Sequence, residues 1–193
     1  MFKLRCQTQP AWADYVAEHI DEFLIDHAAC ERKASASAMH FVVRYPDRLE
    51  LVDRMIDIAR EELEHFHQVF RLARERGVVL GSDKPDPYVN ALLAECRTGR
   101  MTRFEDRLLL GSIIEYRGCE RFAMLSRALG RREQKELAEY YRELAASEAK
   151  HRNDFYEMAL LYFDNDAVNE RLDELLDLEA RIVADLPIRA ALH

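Results

Sequence analysis

Apolar positions recur at spacings of three and four along most of the chain. Ile20, Phe23 and Leu24 share a stripe with His27, and Leu51, Met55, Ile58 and Val69 share one with Glu62 and His65. This is the period of a helix that buries one face, and no segment alternates with the period of two expected of a strand. Pro46, Gly77, Gly81, Pro85, Pro87, Gly99, Gly130 and Pro187 divide the pattern into long blocks. The blocks predict a helix over about 11–44 and a second over 47–76, antiparallel through the Tyr45-Pro46 corner. Residues 77–101 read as a loop-rich crossover with a short helix over about 87–97. Thr102 and Glu105 form a capping box for a third long helix that stops at Gly130. A fourth runs over 131–163, and Asn165 or Asp166 caps a fifth over about 166–185. Two hairpins, 11–76 and 102–163, joined by a long crossover predict an all-α fold: one domain over 1–193, a four-helix bundle with additional short helices.

Composition sharpens this picture. The 193 residues carry 28 Lys and Arg against 36 Asp and Glu, a net charge of −8, which excludes a generally basic nucleic-acid glove. With 49% hydrophobic and 33% charged residues the chain can bury a core under a wet surface. No run approaches the roughly 18 to 20 apolar residues of a membrane span, and no signal peptide opens the chain, so the expected location is cytoplasmic without membrane attachment. Cys6, Cys30, Cys96 and Cys119 form no Cys-x-x-Cys, which excludes a rubredoxin-type iron site or a zinc ribbon and leaves reduced thiols.

The chemistry lies in two repeats of one spacing. Glu62 and His65 stand three apart on the second helix, Glu148 and His151 three apart on the fourth. Each pair sets a carboxylate and an imidazole on one helical face, where both can ligate one ion. A single pair is common on a charged helix; two at matching places in two hairpins are not. A dinuclear carboxylate site needs one further Glu from each remaining helix. Glu31 supplies the first, among the small residues Ala28, Ala34, Ser35 and Ala38; the midpoint of 31 and 62 falls on the Pro46 turn, so the two lie at one depth.

Glu115 and Glu120 compete for the last place. Cys119-Glu120-Arg121 echoes Cys30-Glu31-Arg32, but the midpoint of Glu120 and Glu148 lies inside the fourth helix, whereas that of Glu115 and Glu148 lies beside Gly130. At about 1.5 Å per residue Glu120 is displaced about 7 to 8 Å from the matched level. Gly111 and Gly118 on the face of Glu115 predict open space there, since glycine inside a helix costs about 1 kcal/mol relative to alanine. Glu115 is therefore chosen. His67 is off the face, His19 and His40 are read as surface residues, and His27 as a hydrogen-bonded inner residue.

Glu31, Glu62-x-x-His65, Glu115 and Glu148-x-x-His151 resemble the ligand set of the ferritin-like non-haem di-iron proteins. The stretches His27 to Ala34, Glu61 to Phe66 and Ser147 to His151 more narrowly resemble the MiaE tRNA hydroxylases, over nearly the whole chain. That resemblance implies O2-dependent hydroxylation of the isopentenyl group of 2-methylthio-N6-isopentenyladenosine in the anticodon loop of tRNA. The donor set suits two Fe ions and also Mn(II). The chain has no flavin fingerprint and no cysteine cluster, so reduction falls to an external donor such as ferredoxin and its reductase.

Between Arg97 and Lys135 ten basic and five acidic residues give a local net charge of +5, leaving −13 elsewhere. A helical wheel puts Arg103, Arg107, Arg117 and Arg121 in one quadrant beside Glu115, a candidate stripe for tRNA phosphates. The alternatives are a ferritin- or rubrerythrin-like ferroxidase or iron-binding protein, and a helical interaction module without metal. A closed multimeric shell would mark storage, a missing metal the interaction module, and the lack of a cysteine-ligated module disfavours the rubrerythrin type.

Overall fold

A computed structural model of the protein describes residues 2–193. Among them are seven helices and no strand: α1 (Pro10–Glu18), α2 (Ile20–Arg44), α3 (Leu49–Glu75), α4 (Pro87–Ala94), α5 (Arg100–Arg131), α6 (Lys135–Tyr162) and α7 (Asn165–Asp185). The expected first helix is two, broken at His19, whose backbone leaves the helical region. No glycine or proline marks that break. It falls where the chain passes between two compact units, one of Glu18–Lys84 with Ala190–Leu192, the other of Met1–Ala17, Pro85–Arg189 and His193. No helix among the described residues is long and apolar enough to cross a membrane.

The smaller unit is the α2/α3 hairpin. Phe23, Leu24, Ala28 and Phe41 of α2 and Leu51, Met55, Ile58 and Val69 of α3 are buried. Near the turn the Arg48 N–H donates to the Tyr45 carbonyl. Far from it, Arg76 pairs with Asp21 and Arg32 with Asp83. Gly77 ends α3 at φ 74°, while the Val78 N–H closes back on the Ala73 carbonyl at 2.8 Å, the geometry that favours glycine. The returning chain end is tied down where the Leu192 N–H donates to Asp26 at 2.7 Å.

In the larger unit α5 and α6 form the second hairpin, and α4 and α7 pack on it. Three small side chains set the register of that hairpin. The Ser112 hydroxyl donates to the Arg152 carbonyl at 2.7 Å, the Cys119 thiol to that of Ala145 at 3.1 Å, and the Ser126 hydroxyl to that of Ala138 at 2.6 Å. Each step of seven along α5 is matched by seven back along α6.

Several expected helix ends are corrected. α5 does not begin with a capping box: Gly99 precedes it, the Thr102 hydroxyl donates to the Gly99 carbonyl, and Glu105 is engaged by Arg97. Nor does α5 stop at Gly130. It continues to Arg131, and Glu133 takes the left-handed conformation at φ 61° while Gln134 N–H returns to the Leu129 carbonyl. The cap of α7 is Asp164, accepting from the N–H groups of Asp166 and Ala167, both at 3.1 Å.

Candidate metal centre

In the smaller unit Glu31, Glu62 and His65 are all buried, and a ligand atom from each lies within 4.8 Å of the others. His65 Nδ1 is 3.4 Å from Glu62 Oε2 and 3.9 Å from Glu31 Oε2. The level expected from the turn is built in: the Ser35 hydroxyl, one turn beyond Glu31, donates to the Ala59 carbonyl at 2.7 Å, three residues before Glu62. His27, one turn earlier on α2, is fully buried with Nε2 2.6 Å from Glu31 Oε1. An ionised carboxylate only accepts, so the imidazole N–H donates and fixes the Glu31 side chain.

The larger unit repeats the motif. Glu148 and His151 are buried, His151 Nδ1 lies 3.1 Å from Glu148 Oε2, and half-buried Glu115 brings a ligand atom within 4.8 Å of both. The register of the hairpin explains the meeting. Glu115 stands three residues after Ser112, and Glu148 four before its partner Arg152. Glu120 is used elsewhere: its carboxylate accepts from the Thr8 hydroxyl at 2.7 Å, from the Thr8 N–H at 3.2 Å and from Arg117.

Two like charges withdrawn from water within a few ångströms of each other are costly unless a cation accompanies them. One unit buries such a pair, Glu31 with Glu62, the other sets half-buried Glu115 beside buried Glu148, and each supplies an imidazole beside its pair. Mixed carboxylate and imidazole donors suit Fe(II), so the residues present fit a bound metal in both halves.

Two expectations about the surroundings are corrected. The space over Gly111 is already filled, because a Cβ there would come within 2.9 Å of the Phe155 ring. The arginine stripe loses half its members. Arg117 is fully buried, donating to Glu179 at 2.8 Å, to the Cys6 carbonyl at 2.8 Å and to Thr8 at 3.1 Å. Glu179 also accepts from the Tyr88 hydroxyl at 3.1 Å. Arg121 is buried 5.2 Å from the Trp12 ring centroid, and burial pulls its pKa down to about 10. The wheel shows which flank a residue occupies, but α7 and the segment before α1 cover that flank. Arg103 remains exposed and Arg107 half-exposed. The rungs Ser112, Cys119 and Ser126 were missed in the sequence, although their spacing of seven on one helix was visible.

Comparisons with known proteins concern the chain as a whole. The family model described as tRNA-(ms2io6A)-hydroxylase (MiaE) matches residues 2–193. A tRNA 2-(methylsulfanyl)-N6-isopentenyladenosine(37) hydroxylase of Pseudomonas putida is 37% identical over 161 residues, covering 83% of this chain and 77% of its own. A protein of the same name from Salmonella typhimurium is 27% identical, covering 81% of this chain and 74% of its own. Among solved structures, protein 43 with aldehyde deformylating oxygenase activity from Synechococcus superposes with a TM-score of 0.88 at 34% identity, covering 98% of this chain and 93% of its own. The all-α, ferritin-like fold is thereby established, and with a family match running from residue 2 to residue 193 the chain belongs to the MiaE tRNA hydroxylases.

Proposed function

We propose that this chain hydroxylates the isopentenyl group of 2-methylthio-N6-isopentenyladenosine in the tRNA anticodon loop, using O2 at a di-iron centre held by Glu31, Glu62, His65, Glu115, Glu148 and His151. The observation that carries the reading is the Glu-Glu-His triad repeated in each hairpin, buried but for half-buried Glu115, in a chain matched throughout by a hydroxylase family. As a family member the chain is an oxidoreductase, and the two relatives named for this reaction support the substrate. The reading makes residues 1–193 a single di-iron domain. Nothing observed favours iron storage over hydroxylation.

When bound, an iron pair supplies the redox chemistry that activates O2 against an unactivated C–H bond; Mn(II) suits the same donors. The protein's part is positional. His27 holds one Glu31 oxygen, and the helical spacing of three keeps His65 and His151 beside their carboxylates. Inserting one oxygen atom into C–H leaves the second to be reduced to water by two electrons and two protons. The electrons come from an external donor of the ferredoxin class with its reductase, and the cytoplasm, where tRNA resides, is the proposed location.

Anaerobic iron loading followed by metal analysis is expected to give close to two irons per chain. Hypomodified tRNA with O2 and a reductant is then expected to yield a nucleoside heavier by one oxygen on the isopentenyl group. A folded, iron-loaded protein that consumes O2 and leaves the nucleoside unchanged overturns the hydroxylase reading.

A further inference from the structure

The two hairpins repeat one another around their acids. Ser35, four residues after Glu31, donates to the Ala59 carbonyl at 2.7 Å, three before Glu62. Cys119, four after Glu115, donates to the Ala145 carbonyl at 3.1 Å, three before Glu148. Counting from these rungs pairs positions of one hairpin with positions of the other, and the pairs bury alike: Leu24 with Leu108, Ile58 with Leu144, Ala73 with Ala159.

The match breaks one turn before Glu31 and Glu115. In the first hairpin that place is His27, fully buried, with Nε2 2.6 Å from Glu31 Oε1 and its ring centroid 5.5 Å from that of Phe23. In the second it is Gly111, which has no side chain to donate, and the Phe155 ring fills the space above it. Phe155 stands four after His151, where the first hairpin has Val69 four after His65. An imidazole and a valine are thus exchanged for a glycine and a phenyl ring.

The exchange changes what is offered to the neighbouring carboxylate. A donor on one oxygen of an ionised carboxylate fixes the rotation of the whole group. With Oε1 held by His27, Oε2 is the Glu31 oxygen turned to the ligand set, 3.9 Å from His65 Nδ1. Ordering a glutamate side chain costs rotamer freedom, and a hydrogen bond made before a metal arrives has met that cost in advance. A phenyl ring provides no such donor. Solvent also reaches half-buried Glu115, whereas Glu31 is 4% exposed.

We infer that His27 is a positioning residue that holds Glu31 Oε1 and presents Oε2 to a metal, and that its replacement by Gly111 and Phe155 in the second hairpin makes the two metal positions unequal, the Glu31 half binding more tightly. The inference rests on the di-iron reading. Calorimetric titration of the full chain with Co(II) alone, read together with the visible absorption of the bound ion, is expected to show two steps of one ion each. His151→Ala is expected to spare the tighter step and His65→Ala to remove it. His27→Leu is expected to weaken the tighter step about 10- to 100-fold, to alter the cobalt spectrum of that step and to leave the weaker step in place. His27→Gln, whose amide N–H can donate to the same oxygen, is expected to restore most of the loss. Two equal steps in the parent, a tighter step removed by His151→Ala and spared by His65→Ala, a His27→Leu chain weakened in both steps alike or in neither, or a His27→Gln chain that behaves as His27→Leu does would each overturn the inference while the di-iron reading stands. A folded chain that takes up no cobalt would overturn the di-iron reading, and this inference with it.

Discussion

The ring of Phe155 fills the space above Gly111: a Cβ on that glycine would stand 2.9 Å from Phe155 Cδ1 and 3.0 Å from Cε1. Phe155 follows His151 by one turn of α6, so the glycine lets α5 and α6 close together beside a metal-ligand candidate. Gly111→Ala relieves the helical cost of glycine but forces the ring or α6 to move. Overpacking is expected to win, lowering stability by about 1–3 kcal/mol in urea unfolding. Gly111→Ala with Phe155→Leu is expected to recover most of the loss, giving a coupling energy in a double-mutant cycle.

The two acids of α5 separate metal binding from folding. Glu115→Ala is expected to abolish stoichiometric iron loading with little change in urea stability. Glu120→Ala is expected to keep the iron and lose about 1–2 kcal/mol, because the Thr8 hydroxyl, the Thr8 N–H and Arg117 lose a shared acceptor. Metal analysis beside denaturation of each variant checks both; the opposite pattern would show that the site is built on Glu120.

Legibility in the sequence followed from how each feature is determined. Antiparallel helices joined by a tight turn have their register set by that turn, so the levels of Glu31 with Glu62, and of Glu115 with Glu148, can be read by counting from it. The rungs Ser35 to Ala59 and Ser112 to Arg152 hold those levels. Arg117 and Arg121 could not be read in this way. Their fate depends on Cys6, Thr8, Trp12 and Glu179, distant in sequence, and a helical wheel contains no information about what covers a flank. The break at His19 was equally hidden, because it lacks any residue that disfavours a helix. At Glu133 a glycine three positions earlier drew the helix end to the wrong place.

Glu133 is the described non-glycine residue with positive φ, and it is exposed. The left-handed region costs a side chain about 1 kcal/mol, and glycine escapes that while losing part of the gain through its freer unfolded chain. Glu133→Gly is therefore expected to stabilise the protein by about 0.5 kcal/mol, raising the melting temperature by about 1–2 °C in calorimetry. A fall in melting temperature would mean that Glu133 contributes through its charge instead.

Asp106 gives a pH dependence of known sign. Burial pushes its carboxyl pKa up, but hydrogen bonds from Arg171 and Arg97 outweigh burial and hold it below the usual carboxylate range. A group depressed in the folded state contributes stability that is present above its unfolded pKa, about 4, and is lost as pH falls through the folded value. Unfolding free energy is expected to drop below about pH 4 more steeply in the parent than in Asp106→Asn. The variant itself is expected to cost about 3 kcal/mol near neutrality, since two arginines lose their shared partner.

The remaining half of the arginine stripe makes a test of tRNA contact that the buried half cannot mimic. Arg103 is exposed and Arg107 half-exposed near the start of α5, whereas Arg117 and Arg121 are enclosed by Cys6, Thr8, Trp12 and Glu179. A contact to phosphate releases counterions, so its removal weakens binding of every tRNA sequence and lowers the dependence of log affinity on log salt by about one per contact. Reversing Arg103 and Arg107 to Glu is expected to reduce use of whole tRNA, to flatten its salt dependence and to leave the free modified nucleoside unaffected. Arg121→Met is expected to act differently: lower stability in urea, with tRNA and nucleoside affected in equal measure. Kinetics with both substrates across a salt series, alongside denaturation curves, distinguish the two. Equal loss on tRNA and nucleoside in the Arg103 and Arg107 variant would remove these residues from tRNA recognition and assign their effect to the integrity of α5.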